Sequence, residues 1–204
     1  KSEDEAREAL KQIEGHEFEV TSVTEKKGTE SAPKLFDLTS LQVECNKKFS
    51  FSADETLKLI QSLYEKKLTT YPRVDTTFLS EDLYPKMPAT LRGLKGYEPL
   101  VAALNLNKLP KSKKVFDNAK VTDHHAIIPT RELQKCNLNE LPKGELAILQ
   151  LISTRLFVAV GDPHRYAETV IELDCGGTAF STKGKTVLHE GWKAYVKKNN
   201  STKI

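Results

Sequence analysis

Along this chain the spacing of apolar residues changes period twice. Residues 16 to 25, "HEFEVTSVTE", alternate polar and apolar with Phe18 and Val20 on one face, which predicts a strand. The charged, glycine-bearing "KKGTESAPK" behind it reads as a connector. From about Leu35 to Val160 the apolar period lengthens to that of a helix. The stretch "SADE", Ser52 to Glu55, has the form of a capping box: the serine side chain accepts from a free amide and the glutamate reaches back. Behind it Leu57, Ile60 and Tyr64 fall at helical spacing, joined by Leu59 and Leu63, so Leu63 and Tyr64 are expected in the core. Gln61 and Glu65 stand four apart on another face. A second helix is predicted over about Glu145 to Val160, with Leu146, Leu149, Ile152, Leu156 and Val160 on one stripe, ended by Gly161 and Pro163. The period then shortens again. "ETVIELD" runs into Gly176-Gly177, a hairpin turn signal, and "TAFSTK" answers it, while "KTVLHEGWKAYV" offers a further strand.

Strand pattern at both ends and helix pattern between them predict an α+β fold. Its expected form is a split β-domain from residues 1–30 and 161–204, with an inserted, mainly helical domain from 31–160. Connectors near Gly28 and Gly161 are the candidate hinges between the two. Trp192, the sole tryptophan, is expected to pack the β-domain. The opening "KSEDEAREALKQIEG" reads as the end of a helix and begins with Lys1, so the chain looks cut from something longer.

Composition narrows the class. With 38% apolar and 29% charged residues, a soluble core is accessible. No run is long enough to cross a bilayer and no signal peptide is present, which points to the cytoplasm and away from membranes. Cys45, Cys136 and Cys175 are far apart and odd in number, without the spacing of a zinc site, and are expected as reduced thiols. A net charge of +3 is a weak signal by itself. Its distribution matters more: Lys108, Lys111, Lys113, Lys114 and Lys120 crowd one segment and Lys197, Lys198 and Lys203 the tail. Such clusters serve either as phosphate contacts or as solvated loops.

Chemistry concentrates in "LTTYPRVDTTFL", residues 68 to 79. Pro72 restricts Tyr71 to extended backbone and rules out a continued helix. In an extended segment Arg73 projects from the same face as Tyr71. A phenol with a guanidinium beside it suits attack on a phosphodiester. The phenolic oxygen is the nucleophile, and the planar guanidinium grips the phosphate through two parallel hydrogen bonds. The bland alternative is a Tyr-Pro turn in which Asp75 caps the next turn or pairs with Arg73.

The longer string "QSLYEKKLTTYPRVDTTFLSED", Gln61 to Asp82, resembles the active-site segment of type IA DNA topoisomerases. "VTDHHAIIPT", Val121 to Thr130, resembles the histidine motif of the topoisomerase III branch, while "SAPKLFDLTSLQ" and "GKTVLHEGWKAYV" resemble the entry and the closing β segment of the same region. The resemblance implies that Tyr71 cuts one DNA strand through a 5′-phosphotyrosyl intermediate and that Arg73 positions the scissile phosphate. It implies DNA contacts for His124 and, on the helix lining the DNA path, for Gln61 and Glu65. Lys111, Lys113 and Lys114 join the DNA-binding candidates through their charge. Asp75 matches a motif aspartate. Val74 departs from the family, which usually has threonine or serine there, and so removes a hydroxyl expected beside Arg73. The family uses Mg²⁺ held in an N-terminal toprim domain; no D-x-D-x-E string stands in these residues, and no metal ligands are assigned. The expected partners are single-stranded DNA and the missing toprim and groove segments, the expected setting the cytoplasm beside the nucleoid. Alone, the chain is expected to be nearly inactive. A non-enzymatic nucleic-acid-binding module remains the second reading, with affinity carried by the lysines between 108 and 120. A tyrosine recombinase fits less well, because its arginines and histidine precede a tyrosine late in the chain.

Overall fold

The computed structural model describes residues 2 to 196. The lysine cluster at Lys197, Lys198 and Lys203 lies outside the described residues. Two compact units form. Of the described residues, one takes in those up to Ser31 together with Pro163–Glu190, the other Ala32–Asp162 with those from Gly191 onward.

The first unit is a three-stranded antiparallel sheet and one helix. Helix α1 (Glu3–Ile13) starts its own turn: Ser2 Oγ accepts from the Glu5 amide and the Glu5 carboxylate accepts from the Ser2 amide. The opening segment is thus helical from Glu3 to Ile13. Strands β1 (Glu19–Glu30), β2 (His164–Cys175) and β3 (Thr178–His189) follow in the order β1-β2-β3. Two expectations change. The "KKGTE" stretch is strand, because each of its residues is paired along β2, from Lys26 opposite Glu168 to Glu30 opposite His164. A ladder of backbone bonds can carry a polar sequence that has no apolar face to announce it. "TAFSTK" and "KTVLH" are one continuous strand, not two. Gly28 is accordingly no connector. It faces Tyr166 across the ladder, and a Cβ there would stand 2.4 Å from the phenol Cζ, so glycine serves close approach of the ring. Gly176 and Gly177 both take positive φ and close the β2–β3 hairpin, where the Gly177 amide donates to Asp174.

The second unit packs helices α2 (Leu38–Phe49), α3 (Ala53–Glu65), α4 (Met87–Arg92), α5 (Glu98–Ala103) and α6 (Lys143–Ala159), with short 3₁₀ turns in the connections. Helix α2 carries a capping box at Asp37 and Ser40. At Ser52 the serine half of the expected box forms, its hydroxyl accepting from the Glu55 amide. The apolar stripe of α6 is wider than its sequence spacing predicts: Ile148, Leu149, Leu151, Ile152, Ser153, Leu156, Phe157, Val158 and Ala159 are all buried. It is the central post of the unit, and each large side chain so buried contributes roughly 1.5–3 kcal/mol. Other elements fasten to it through polar groups. Tyr97 donates from its buried hydroxyl to the Gln150 carbonyl at 2.9 Å, and burial raises its pKa. The Arg155 guanidinium lies 4.0 Å from the Phe36 ring centroid and donates to the Lys34 carbonyl, pinning the segment that leads into α2.

Trp192 falls in this helical unit, not in the β unit. Its amide donates to the Asp162 carbonyl at 2.8 Å, and Tyr195 sets its ring edge-on to Phe157 at 4.7 Å. Residues 193–196 are helical, so the last strand expected from "GWKAYV" ends at His189.

Cys45 and Cys175 are buried and Cys136 is half-buried. Burial pushes the Cys45 thiol up to about 11. Since the thiolate is the nucleophile, only Cys136 should react readily with a thiol reagent at pH 8 in the folded protein, and all three after denaturation. Mass-spectrometric counting of labels tests this; fast native labelling of Cys45 would contradict the packing described.

Candidate active site

Tyr71 is positioned by a sharp exit from α3 and by a short pairing with a distant loop. The helix ends at Glu65, Lys66 caps it, and Lys67 turns the chain with a positive φ of 62°. The Lys67 amide donates to Tyr64 O and the Leu68 amide to Leu63 O. The chain then runs alongside residues 126–130. The Thr70 amide donates to Ile128 O at 2.9 Å, the Thr130 amide to Leu68 O, and the Thr130 hydroxyl to Lys67 O. The Thr70 hydroxyl accepts from the Ile128 amide and donates to Ala126 O. These bonds bring the histidine loop to the tyrosine: the His124 and Tyr71 ring centroids are 4.4 Å apart, tilted by 37°. Tyr64 contacts the same ring edge-on, at 5.5 Å and 79°.

Beyond Tyr71 burial alternates. Pro72, Val74 and Thr76 are buried, whereas Arg73 and Asp75 are exposed and Tyr71 is half-exposed. That alternation is what extended backbone against a core produces, and it puts Tyr71 and Arg73 on the outward side together. The inward side is fixed by the Leu38 amide donating to Val74 O, by the Thr76 hydroxyl donating to Lys120 O, and by the Ala126 amide donating to Phe78 O. Val74 thus occupies a core position, so the hydroxyl it lacks is missing from the interior rather than from beside Arg73. Among the described residues Arg73 makes no hydrogen bond or ion pair, and Asp75 does not hold it.

One expectation about the helix fails. Leu63 is 0% exposed, but Tyr64 is 38% exposed and stands on the rim, not in the core. The buried face of α3 is Thr56, Ile60 and Leu63. Helical spacing placed Tyr64 near that stripe, and an aromatic at its edge turned outward toward Tyr71. An open groove of about 500 Å³ lies here, its walls including Tyr64, Glu65, Lys67, Thr70, Tyr71 and Thr130.

The remaining candidates separate. Gln61 donates from Nε2 to Glu65 Oε1 at 3.1 Å, and Glu65 reaches the groove. His125 turns its Nδ1 to the Ala126 carbonyl at 2.8 Å, leaving His124 as the exposed member of the pair. Lys111 is tied elsewhere, with Nζ 2.6 Å from Glu81 Oε2 and 5.9 Å from the Tyr84 ring centroid. Lys113 and Lys114 are exposed. A group that sequence reading did not single out is Glu145, a buried carboxylate on α6 that accepts from Ser62 at 2.8 Å and from Lys66. It clamps the last turn of α3, the turn that launches Tyr71. A glutamate in the first turn of an amphipathic helix carries no signal of such a cross-link. Among the described residues no group of three or more His, Cys, Asp or Glu side chains could hold a metal ion, and no helix is long and apolar enough to cross a membrane.

A family model described as DNA topoisomerase matches residues 1–204. The chain is 40% identical over 188 residues to DNA topoisomerase 3 of Bacillus subtilis, a match covering 91% of this chain and 26% of that protein. It is 44% identical over 166 residues to DNA topoisomerase 3 of Bacillus licheniformis, covering 80% of this chain and 23% of that protein. The chain thus spans about a quarter of the length of these curated relatives. Full-length topoisomerase I of Thermotoga maritima shares the fold at a TM-score of 0.70 and 21% identity, over 97% of this chain and 32% of that one.

Proposed function

The chain belongs to the type IA DNA topoisomerase family, on its topoisomerase III branch, and we propose from this that it is the tyrosine-bearing portion of an enzyme that cuts and reseals one DNA strand. Tyr71 Oη attacks the scissile phosphorus. The P–O3′ bond breaks, the tyrosine is left esterified to the 5′ phosphate, and the departing 3′ oxygen takes up a proton. The reverse attack by that 3′ hydroxyl restores the strand. The ester conserves the energy of the broken bond, so resealing needs no nucleotide cofactor, and another strand passes while the break is open. Arg73 holds the phosphate and offsets charge on its oxygens as it rearranges. His124 contacts the DNA beside the cut, and Gln61 and Glu65 line its path.

The observation that carries this reading is the pairing of a half-exposed Tyr71, its ring held by Tyr64 and His124, with an Arg73 that is exposed and, among the described residues, unpaired, on the same side of an extended segment. Phenol and guanidinium are the two groups a phosphodiester requires, and neither is committed to the core. Mg²⁺ belongs in this proposal to a toprim segment outside these residues, and supplies charge stabilisation for the transferring phosphoryl group when bound. The chain alone is accordingly expected to be nearly inert, and the substrate places the enzyme in the cytoplasm with the nucleoid.

The decisive experiment traps the adduct. A full-length protein carrying this chain, incubated with end-labelled single-stranded DNA and Mg²⁺ and then denatured, should yield a covalent adduct whose nucleotide maps to the peptide containing Tyr71. An adduct on another residue overturns the assignment, and efficient adduct formation by the isolated 204 residues overturns the claim of dependence on the other segments.

A further inference from the structure

We propose that Tyr64 is a stacking platform for one unpaired nucleobase of the strand being cut, received in the groove beside Tyr71. The inference rests on the reading of Tyr71 as nucleophile. Tyr64 lies in the last turn of α3, next to a fully buried leucine, yet keeps more than a third of its surface in water. Among the described residues its hydroxyl makes no hydrogen bond, so no polar contact accounts for the outward position. What holds the ring is its edge-on contact with Tyr71 at 5.5 Å. The groove it borders is mainly apolar, open to solvent, and at about 500 Å³ large enough for a base. Arg73, exposed and without a hydrogen bond or ion pair among the described residues, stands two residues beyond Tyr71 and is the group that takes the phosphate. A nucleotide has both parts, a flat apolar base and a charged phosphate, and this surface offers a separate receptor for each. Because every base has a π face, stacking on Tyr64 holds the strand without choosing its sequence. A base pressed on Tyr64 also steadies the Tyr71 ring through their shared edge.

The test compares native protein with Tyr64→Phe, Tyr64→Leu and Tyr64→Ala in the full-length protein carrying this chain. Single-stranded oligonucleotides are used in which each base near the cut is replaced in turn by an abasic sugar. Tyr64→Phe should match the native protein. The Leu and Ala variants should raise KM for cleavage about 5- to 150-fold. At one abasic position the native protein should suffer the same loss, and there the Leu and Ala variants should lose nothing more. An unchanged KM, or variants that remain sensitive at every abasic position, would show Tyr64 to be only a prop for Tyr71 and would overturn the proposal. The covalent adduct is read in the same samples. Native protein with no adduct at Tyr71 sinks the nucleophile and the platform together, whereas a normal adduct without the abasic coupling sinks the platform alone.

Discussion

Tyr71→Phe should abolish the covalent protein–DNA adduct while the variant still binds single-stranded DNA as tightly as the native protein. The substitution removes one oxygen and nothing else. The ring contacts with Tyr64 and His124 do not depend on that oxygen, and among the described residues the hydroxyl makes no hydrogen bond whose loss would strain the fold. Stability should therefore change by less than about 0.5 kcal/mol, the usual range for a surface substitution that breaks no named interaction. The proposed reaction, by contrast, loses its attacking atom. A drop in cleavage of at least about 1000-fold is expected, since a removed nucleophile is not replaced by better binding. Denaturing electrophoresis of labelled DNA reads the adduct, and fluorescence anisotropy reads the binding. Persisting adduct in Tyr71→Phe would mean that another group attacks. Cleavage and binding that both survive unchanged would favour a surface that merely holds nucleic acid.

Arg73→Ala carries the second large effect. An arginine paired with a carboxylate inside the protein would reveal itself in stability, but Arg73 is exposed and unpaired among the described residues, so its removal should leave the melting temperature where it was. In the proposed reaction its value lies with the substrate. Losing one preorganised donor to a developing oxyanion costs about 100- to 1000-fold in rate, and that loss should appear in the turnover number more than in KM. Arg73→Lys should recover only part of it, because an ammonium restores the charge without the two parallel bonds. The opposite pattern, a lower melting temperature with normal cleavage, would make Arg73 a structural residue.

Much of this was legible beforehand because the signals are local. Ile60 and Leu63 mark α3 by their spacing, Leu149, Ile152 and Leu156 mark α6, and Gly176-Gly177 marks the hairpin. Tyr71-Pro72-Arg73 announces extended backbone with two reactive groups outward, for steric reasons contained in the proline. What was missed depends on partners far away in sequence. The strand through Lys26 and Lys27 exists because Glu168 and Ala167 pair with them, and no feature of its own composition demands it. The pairing of Thr70 with Ile128, which sets His124 against the tyrosine, is likewise invisible in either segment alone. Tyr64 misled for a different reason. Apolar spacing assigns residues to a face but cannot say which side of the stripe's edge a borderline aromatic takes, and here a second aromatic drew it outward. Trp192 has strand-like neighbours in sequence, whereas its amide donates to the Asp162 carbonyl at the foot of α6.

The left-handed turn at Lys67 bears on how the Tyr71 side chain is aimed. A residue with a Cβ in that conformation costs roughly 1 kcal/mol, a cost that glycine avoids. Glycine, however, would let the elbow between α3 and the extended Tyr71 segment swing through many directions. Lysine, once forced into the bend by the Thr130 hydroxyl on its carbonyl, has few others to visit. The bend therefore exchanges a little stability for a narrow cone of approach, and the proposed reaction, in which one DNA strand is cut and the same end rejoined, gains from that narrowness.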